Sequence, residues 1–213
     1  MFTGIVQSTA QVKSIKAGNK FKHFEMQLPI ALINNLEIGA SVANNGVCLT
    51  AVNFAQIDEE TAVIGFDVID ETLRVTNLDA LVEGSAVNIE RSLKAGDEIG
   101  GHIVSGHIHT TATLVKRDEN ADNCRLKFSL HSQWAKYIFA KGFITVNGCS
   151  LTLGAKVDTE NEFTYFEVHL IPETLARTNL RKLNVDDLVN IEIDQQTITT
   201  VDSIERIMAE RVG

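Results

Sequence analysis

Cysteine is scarce in this 213-residue sequence: Cys48, Cys124 and Cys149 are widely spaced, odd in number and form no Cys-x-x-Cys pair. That pattern argues against a disulfide framework and against a zinc knuckle, and it suits a reducing compartment. Cationic runs are missing too. The formal net charge is −9 and the longest basic groupings are pairs such as Lys116-Arg117 and Arg181-Lys182. With no basic stripe to neutralise a phosphate backbone, nucleic acid is not an expected partner. No apolar run approaches the roughly 20 residues that span a bilayer. The opening Met1-Phe2-Thr3-Gly4-Ile5-Val6-Gln7 lacks the charged-then-apolar layout of a signal peptide. A cytoplasmic protein with no membrane partner is therefore expected. What is present, 44% apolar and 22% charged residues, is the make-up of an ordinary folded chain.

The chain repeats itself. Asn45-Gly46-Val47-Cys48-Leu49-Thr50 returns as Asn147-Gly148-Cys149-Ser150-Leu151-Thr152, a step of 102 residues. Glu71-Thr72-Leu73 returns at the same step as Glu173-Thr174-Leu175, Thr76-Asn77-Leu78 as Thr178-Asn179-Leu180, and Val87-Asn88-Ile89-Glu90 as Val189-Asn190-Ile191-Glu192. Chance matches of short polar strings would not hold one register for this distance, so one structural unit is duplicated. The expected units are 1–97 and 98–193, followed by a segment 194–213 with no counterpart.

Within each unit, Val63-Ile64-Gly65-Phe66-Asp67-Val68 and Phe163-Thr164-Tyr165-Phe166-Glu167-Val168 are β-branched and aromatic runs that read as strands. Turn residues punctuate the chain at Asn44-Asn45-Gly46, Glu83-Gly84-Ser85, Asp118-Glu119-Asn120 and Val185-Asp186-Asp187. Many short strands so spaced predict a small barrel or sandwich in each unit. One short helix per unit is expected, over 29–36 and 132–137. The acidic segment from Phe54 to Thr61 reads as a long solvated loop. In the tail, Val201, Ile204, Ile207, Met208 and Val212 make one apolar stripe at helical spacing. That stripe can pack on its own unit or on copies of itself, and the sequence leaves both open.

The opening Met-Phe-Thr-Gly-Ile-Val-Gln, the repeated Asn-Gly-x-x-Leu-Thr, the Gly-Gly-His102-x-x-Ser-Gly-His107-Ile string and Ile171-Pro172-Glu173-Thr174-Leu175 together resemble the riboflavin synthase family over nearly the whole chain. The resemblance implies an all-β fold of two tandem six-stranded Greek-key barrels, each binding one 6,7-dimethyl-8-ribityllumazine, plus a C-terminal trimerisation helix. It implies a homotrimer whose active site holds two lumazines between the N-terminal barrel of one subunit and the C-terminal barrel of another. Lumazine synthase is a candidate further partner. The implied reaction is a dismutation: one lumazine gives a four-carbon unit to the other, and no cofactor or metal is needed. Two copies of one molecule fit two related pockets. Orienting a pair of reactants can supply roughly 7 to 11 kcal/mol of barrier reduction.

Divergence between the halves marks the residues for chemistry. Cys48 stands opposite Ser150, both nucleophile-type side chains two positions after a turn glycine. His107 stands opposite Ile5 and is the first choice for acid-base work, since an imidazole titrates near neutrality; His102 is a second. A metal site from His102, His107 and His109 lacks a His-Glu-x-x-His or cysteine pattern. By resemblance the catalytic set is His107, Cys48, Ser41, Ser150 and Asp194. Binding falls to Cys48, Leu49 and Thr50, with Gly4, Ile5, Val6, Asp67, Val68, Ile69, Asp70, Glu71 and Thr72 in the first barrel. The second supplies Ser150, Leu151 and Thr152 with Gly106, His107, Ile108, Lys141, Leu170, Ile171, Pro172, Glu173, Thr174 and Leu175. Phe2 is expected to close the site. Asn147 stands where many members carry aspartate, which puts a general-base role there in doubt.

The nearest alternative is a non-catalytic antenna protein that binds a lumazine or flavin without turnover; the retained second-half strings favour the enzyme. A flavin-dependent reductase would want a parallel βαβ nicotinamide site. Gly96-Asp97-Glu98-Ile99-Gly100-Gly101 is followed instead by strand-like residues.

Overall fold

The computed structural model describes residues 1–120 and 123–212. The side chain of Val212, the last residue of the predicted stripe, lies outside the described residues, as does Gly213. Six antiparallel strands close the first barrel: β1 (Ser8–Ala17), β2 (Phe21–Pro29), β3 (Ser41–Asn44), β4 (Val47–Gln56), β5 (Thr61–Ile69) and β6 (Ala86–Arg91), in the order β1-β2-β5-β4-β3-β6. The second barrel repeats them as β7 (Thr110–Glu119), β8 (Cys124–His131), β9 (Phe143–Val146), β10 (Cys149–Glu160), β11 (Phe163–Leu170) and β12 (Leu188–Ile193), in the equivalent order. Inward and outward side chains alternate as the pleat requires. Along β8, Cys124, Leu126, Phe128 and Leu130 are buried, and along β2 so are Phe24, Met26 and Leu28. Each side chain of this size contributes about 1.5–3 kcal/mol on burial, and each barrel has its own core. A register shift between Val12 and Ser14 recurs between Leu114 and Lys116, bending the first strand of each barrel at the same place.

Two expectations need correcting. Each barrel carries three short helical turns rather than one: besides 3-10 turns at Ile30–Ile33 and Ser132–Tyr137 there are α1 (Asp70–Val75) and α2 (Pro172–Arg177), each followed by a further 3-10 turn at Asn77–Ala80 or Asn179–Lys182. Six-residue helices show too little periodicity to separate from strand ends. The segment from Phe54 to Thr61 is no long loop either. Phe54, Ala55 and Gln56 pair with β5, and Asp58 folds the remaining connection tightly by accepting from the N–H groups of Glu60 and Thr61.

The Asn-Gly pairs explain how the barrels join. Asn45 and Gly46 have φ of 46° and 81°, and Asn147 and Gly148 have 45° and 79°, the left-handed values of a two-residue hairpin turn. The two turns meet: a Cβ on Gly148 would lie 2.7 Å from the Gly46 nitrogen, and one on Gly46 equally close to Gly148. Around them six asparagines bond in two matching sets. Asn88 Nδ2 donates to the Asn147 carbonyl and Asn190 Nδ2 to the Asn45 carbonyl, both at 2.9 Å. Asn179 N–H donates to Asn88 Oδ1 and Asn77 N–H to Asn190 Oδ1, both at 2.6 Å. Asn147 thus belongs to the joint between barrels, where Oδ1 accepts from Asn190 N–H and Asn77 Nδ2.

After β12 the chain enters α3 (Gln195–Val212). Ile198 packs on the second core, and Asp202 and Glu205 bond Lys136 and Tyr137. Ile204, Ile207 and Met208 stay exposed. Among the described residues no helix is long and apolar enough to cross a membrane.

Candidate active site

Each barrel is preceded by a segment that does not stay with it. Phe2 and Val104 pair as a two-residue antiparallel bridge, with Phe2 N–H to Val104 O at 2.8 Å and the return bond at 3.0 Å. From there the segments cross. Gly4 O accepts from Ser150 N–H at 2.8 Å, and Val6 is buried in the core of the second barrel. Gly106 O accepts from Cys48 N–H at 2.9 Å, and Ile108 packs on the core of the first. Glycine is required at both crossings, where φ is 73° and 83° and an added Cβ would stand 2.6 Å from that of Ser150 or 2.5 Å from that of Cys48. The sequence reading had placed Gly4, Ile5 and Val6 with the first barrel and Gly106, His107 and Ile108 with the second; the structure exchanges them. Repeat arithmetic aligns equivalent positions but carries no information on which copy a leading segment packs against.

Cys48 is half-buried at the start of β4, beside Phe2, which is fully buried among Ala43, Val104 and Cys48. A cavity of about 190 Å³ there is lined by Cys48, Glu71, Thr72, Gly106, His107 and Ile108, with Val47, Val75 and Thr76. Six of the expected residues therefore come together, the exposed His107 and Cys48 both lining the wall. Ser41 faces Thr50 across β3 and β4, two pairs along from Cys48, and its carbonyl accepts from Ser92 Oγ at 2.7 Å. Leu49 and Val68 point into the barrel core, Asp67 is bonded to His23 at 2.6 Å, and Ile69 and Asp70 begin α1 at the surface.

In the second barrel Ser150 Oγ lies 2.7 Å from His102 Nδ1. His102 is buried, stacks on Phe143 with ring centroids 5.1 Å apart, and has Nε2 3.3 Å from Thr145 Oγ1. Burial holds its pKa below the usual histidine value, against the pull of the Asp194 carboxylate, so the ring is neutral and can hold the serine hydroxyl. Thr152 faces Phe143 across β9 and β10. Asp194 follows Ile193, the partner of Ile144, and so sits at the same end of β9 as Phe143 and Lys141. Asp194 also caps α3, accepting from the Thr197 N–H and hydroxyl at 2.8 Å. Leu151 and Leu170 are core residues, Ile171 is exposed, and Pro172, Glu173, Thr174 and Leu175 form α2, where Glu173 bonds Arg177.

The three neighbouring histidines part company. His102 goes to Ser150 and His107 to the Cys48 cavity, while His109 accepts from Ile193 N–H and packs edge-on to Trp134. The sequence reading missed Glu90 and Glu192, both buried, which hold the crossing segments. Their signal was the repeated Val-Asn-Ile-Glu, taken as evidence of duplication only.

A family model described as a lumazine binding domain matches this chain twice, over residues 3–92 and 105–194. The riboflavin synthase of Escherichia coli (strain K12) is 47% identical over 99% of this chain and 95% of its own length. Those of Buchnera aphidicola subsp. Baizongia pistaciae and Chlamydia pneumoniae are 42% and 40% identical, each over 98% of this chain and over 94% and 98% of their own lengths. The chain belongs to the riboflavin synthase family. Among solved structures, LumP complexed with riboflavin is similar at a TM-score of 0.76 and 26% identity, covering 91% of this chain and 99% of that one. Riboflavin synthase membership makes the chain an enzyme.

Proposed function

We propose that this enzyme forms riboflavin from two molecules of 6,7-dimethyl-8-ribityllumazine, one in each barrel type, releasing 5-amino-6-(D-ribitylamino)uracil. The observation that carries the reading is that two equivalent positions of a duplicated fold bear different chemistry: Cys48 with His107 on a cavity wall in one barrel, Ser150 bonded to His102 in the other. A dismutation needs the same molecule bound twice and treated differently. His107 exchanges protons at the first site, where it shares a wall with Cys48. His102 is neutral and committed to Ser150, so it fixes the hydroxyl that meets the second lumazine.

The productive unit is a homotrimer in the cytoplasm, with the first barrel of one subunit facing the second barrel of its neighbour. The exposed Ile204, Ile207 and Met208 support this, because α3 is tied down at its middle by Asp202 and Glu205 and leaves these apolar side chains exposed. Removal of residues from Val201 onward is expected to give monomers in sedimentation; a truncated trimer would refute the role of the helix.

The activity is tested by incubating the chelator-treated protein with the lumazine alone. Riboflavin equal to half the lumazine consumed is the expected result. A stable, fluorescent, unconverted complex would instead mark an antenna protein.

A further inference from the structure

Two buried carboxylates hold the crossing segments, and neither meets a cation at ion-pair distance among the described residues. Glu90 Oε1 accepts from the Thr3 N–H at 2.7 Å and the Thr3 hydroxyl at 2.8 Å, and its Oε2 accepts from Gly4 N–H at 3.1 Å. Glu192 repeats the pattern on Ser105 and Gly106 at 2.7, 2.8 and 3.0 Å. Burial pushes both carboxyls up, while the donors pull the other way by favouring the acceptor-only ionised form. The hydroxyls pass the hold along: Ser105 Oγ accepts from His107 N–H at 3.2 Å, and Thr3 Oγ1 from Ile5 N–H at 3.3 Å.

Each carboxylate sits on the last strand of its own barrel, yet the segment it grips ends on the other barrel. Glu192, on β12, fixes Ser105-Gly106, whose next contacts are the Cys48 N–H and the His107 side of the first cavity. Glu90, on β6, fixes Thr3-Gly4, which receives the Ser150 N–H of the second barrel.

We propose that Glu192 is a positioning residue for the pocket of the first barrel and Glu90 for that of the second, so that each buried glutamate serves the barrel it does not belong to. The identity of the pockets rests on the function proposed above, but the positioning claim can be read without any ligand. The amide in Glu192→Gln keeps one acceptor oxygen and turns an N–H donor on the N–H of either Ser105 or Gly106, which would loosen the segment and uncover Cys48.

The experiment is alkylation by iodoacetamide of the whole protein, followed peptide by peptide; Cys124 and Cys149 are buried, and burial pushes the Cys149 thiol up to about 12. Glu192→Gln is expected to speed modification of Cys48 about tenfold, the effect of losing a hydrogen bond to a charged group. Glu90→Gln should leave that rate within about twofold, because Phe2 beside Cys48 stays bridged to Val104 when Thr3 is loosened. Riboflavin should protect Cys48 in Glu90→Gln and fail to do so in Glu192→Gln. Should Glu192→Gln not melt cooperatively, Ser105→Ala, which loses one bond to Glu192 and the acceptor for His107, must speed Cys48 modification where Thr3→Ala does not. Equal acceleration by both glutamate variants, or none by Glu192→Gln, overturns the proposal. A crossed pattern in ligand-free alkylation with no riboflavin protection in either variant would uphold the positioning and count against the pocket assignment instead.

Discussion

The two barrels share an element order and a step of 102 residues, and they differ around Cys48 and Ser150. Where the first has Ser41, Cys48 and Ser92, the second has Phe143, Ser150 and Asp194. His107 reaches the first and its equivalent Ile5 lies on the segment that crosses to the second; His102 belongs to the second alone. The joint between the barrels shows the opposite behaviour, with Asn45, Asn77 and Asn88 matched one for one by Asn147, Asn179 and Asn190. Residues that must satisfy each other across a pseudo-two-fold joint stay equal, while residues outside it are free to specialise.

The symmetric part breaks most severely at its centre. Gly148→Ala puts a Cβ 2.7 Å from the Gly46 nitrogen at a φ of 79°. Steric overlap and left-handed strain together should cost about 3 kcal/mol or more. Chemical denaturation with separate probes in each half should then show the barrels melting apart. A single unshifted transition would mean that the turns are not in contact.

The asymmetric part breaks next at His107. His107→Gln removes the imidazole, proposed above to exchange protons, from the first cavity but keeps a polar side chain there. Turnover should fall about a hundredfold, the scale of a lost acid-base group, with lumazine binding held within a few fold. Full activity in the variant would remove His107 from the chemistry and leave Cys48 without its partner.

A core position also separates the barrels. Asn44 is fully buried on β3 with Oδ1 unpartnered among the described residues, whereas the equivalent Val146 is an apolar core residue. Asn44→Val should therefore stabilise the first barrel by about 1 kcal/mol, since it exchanges an unsatisfied acceptor for packed hydrocarbon. Thermal melts of both proteins check this, and a lower midpoint for the variant would show that the amide has a partner in solution.

Much of this comparison was legible in the sequence, because strand alternation, Asn-Gly turns and the 102-residue register are local or periodic signals. Those signals gave two duplicated units of short strands, barrel or sandwich, and the final helix, while the choice of closed barrels came from the family resemblance. The crossing of Gly4 and Gly106 was not legible, since both pairings fit the same register and the choice depends on the length and direction of the chain between Arg91 and Thr110. Glu90 and Glu192 were hidden for a related reason. A glutamate ending a strand looks like a surface residue until the donors that bury it, 86 and 87 positions away, are placed.

The mildest test bears on Asn147, which the sequence reading weighed as a chemical position. Its Oδ1 does the bonding, to Asn190 N–H at 2.8 Å and Asn77 Nδ2 at 3.1 Å, while its Nδ2 reaches Asn179 Oδ1 only at 3.4 Å. Aspartate keeps both acceptor bonds and loses one long donor. Asn147→Asp should shift stability by less than about 1 kcal/mol and leave turnover within about twofold. Asn147→Ala orphans the buried Asn190 N–H and takes one of two acceptors from the half-buried Asn77 Nδ2, and should cost about 2 kcal/mol. If Asn147→Asp instead changes the rate and its pH dependence with stability untouched, the position acts on the substrate rather than on the joint, and the division between an equal interface and unequal pockets would fail at its centre.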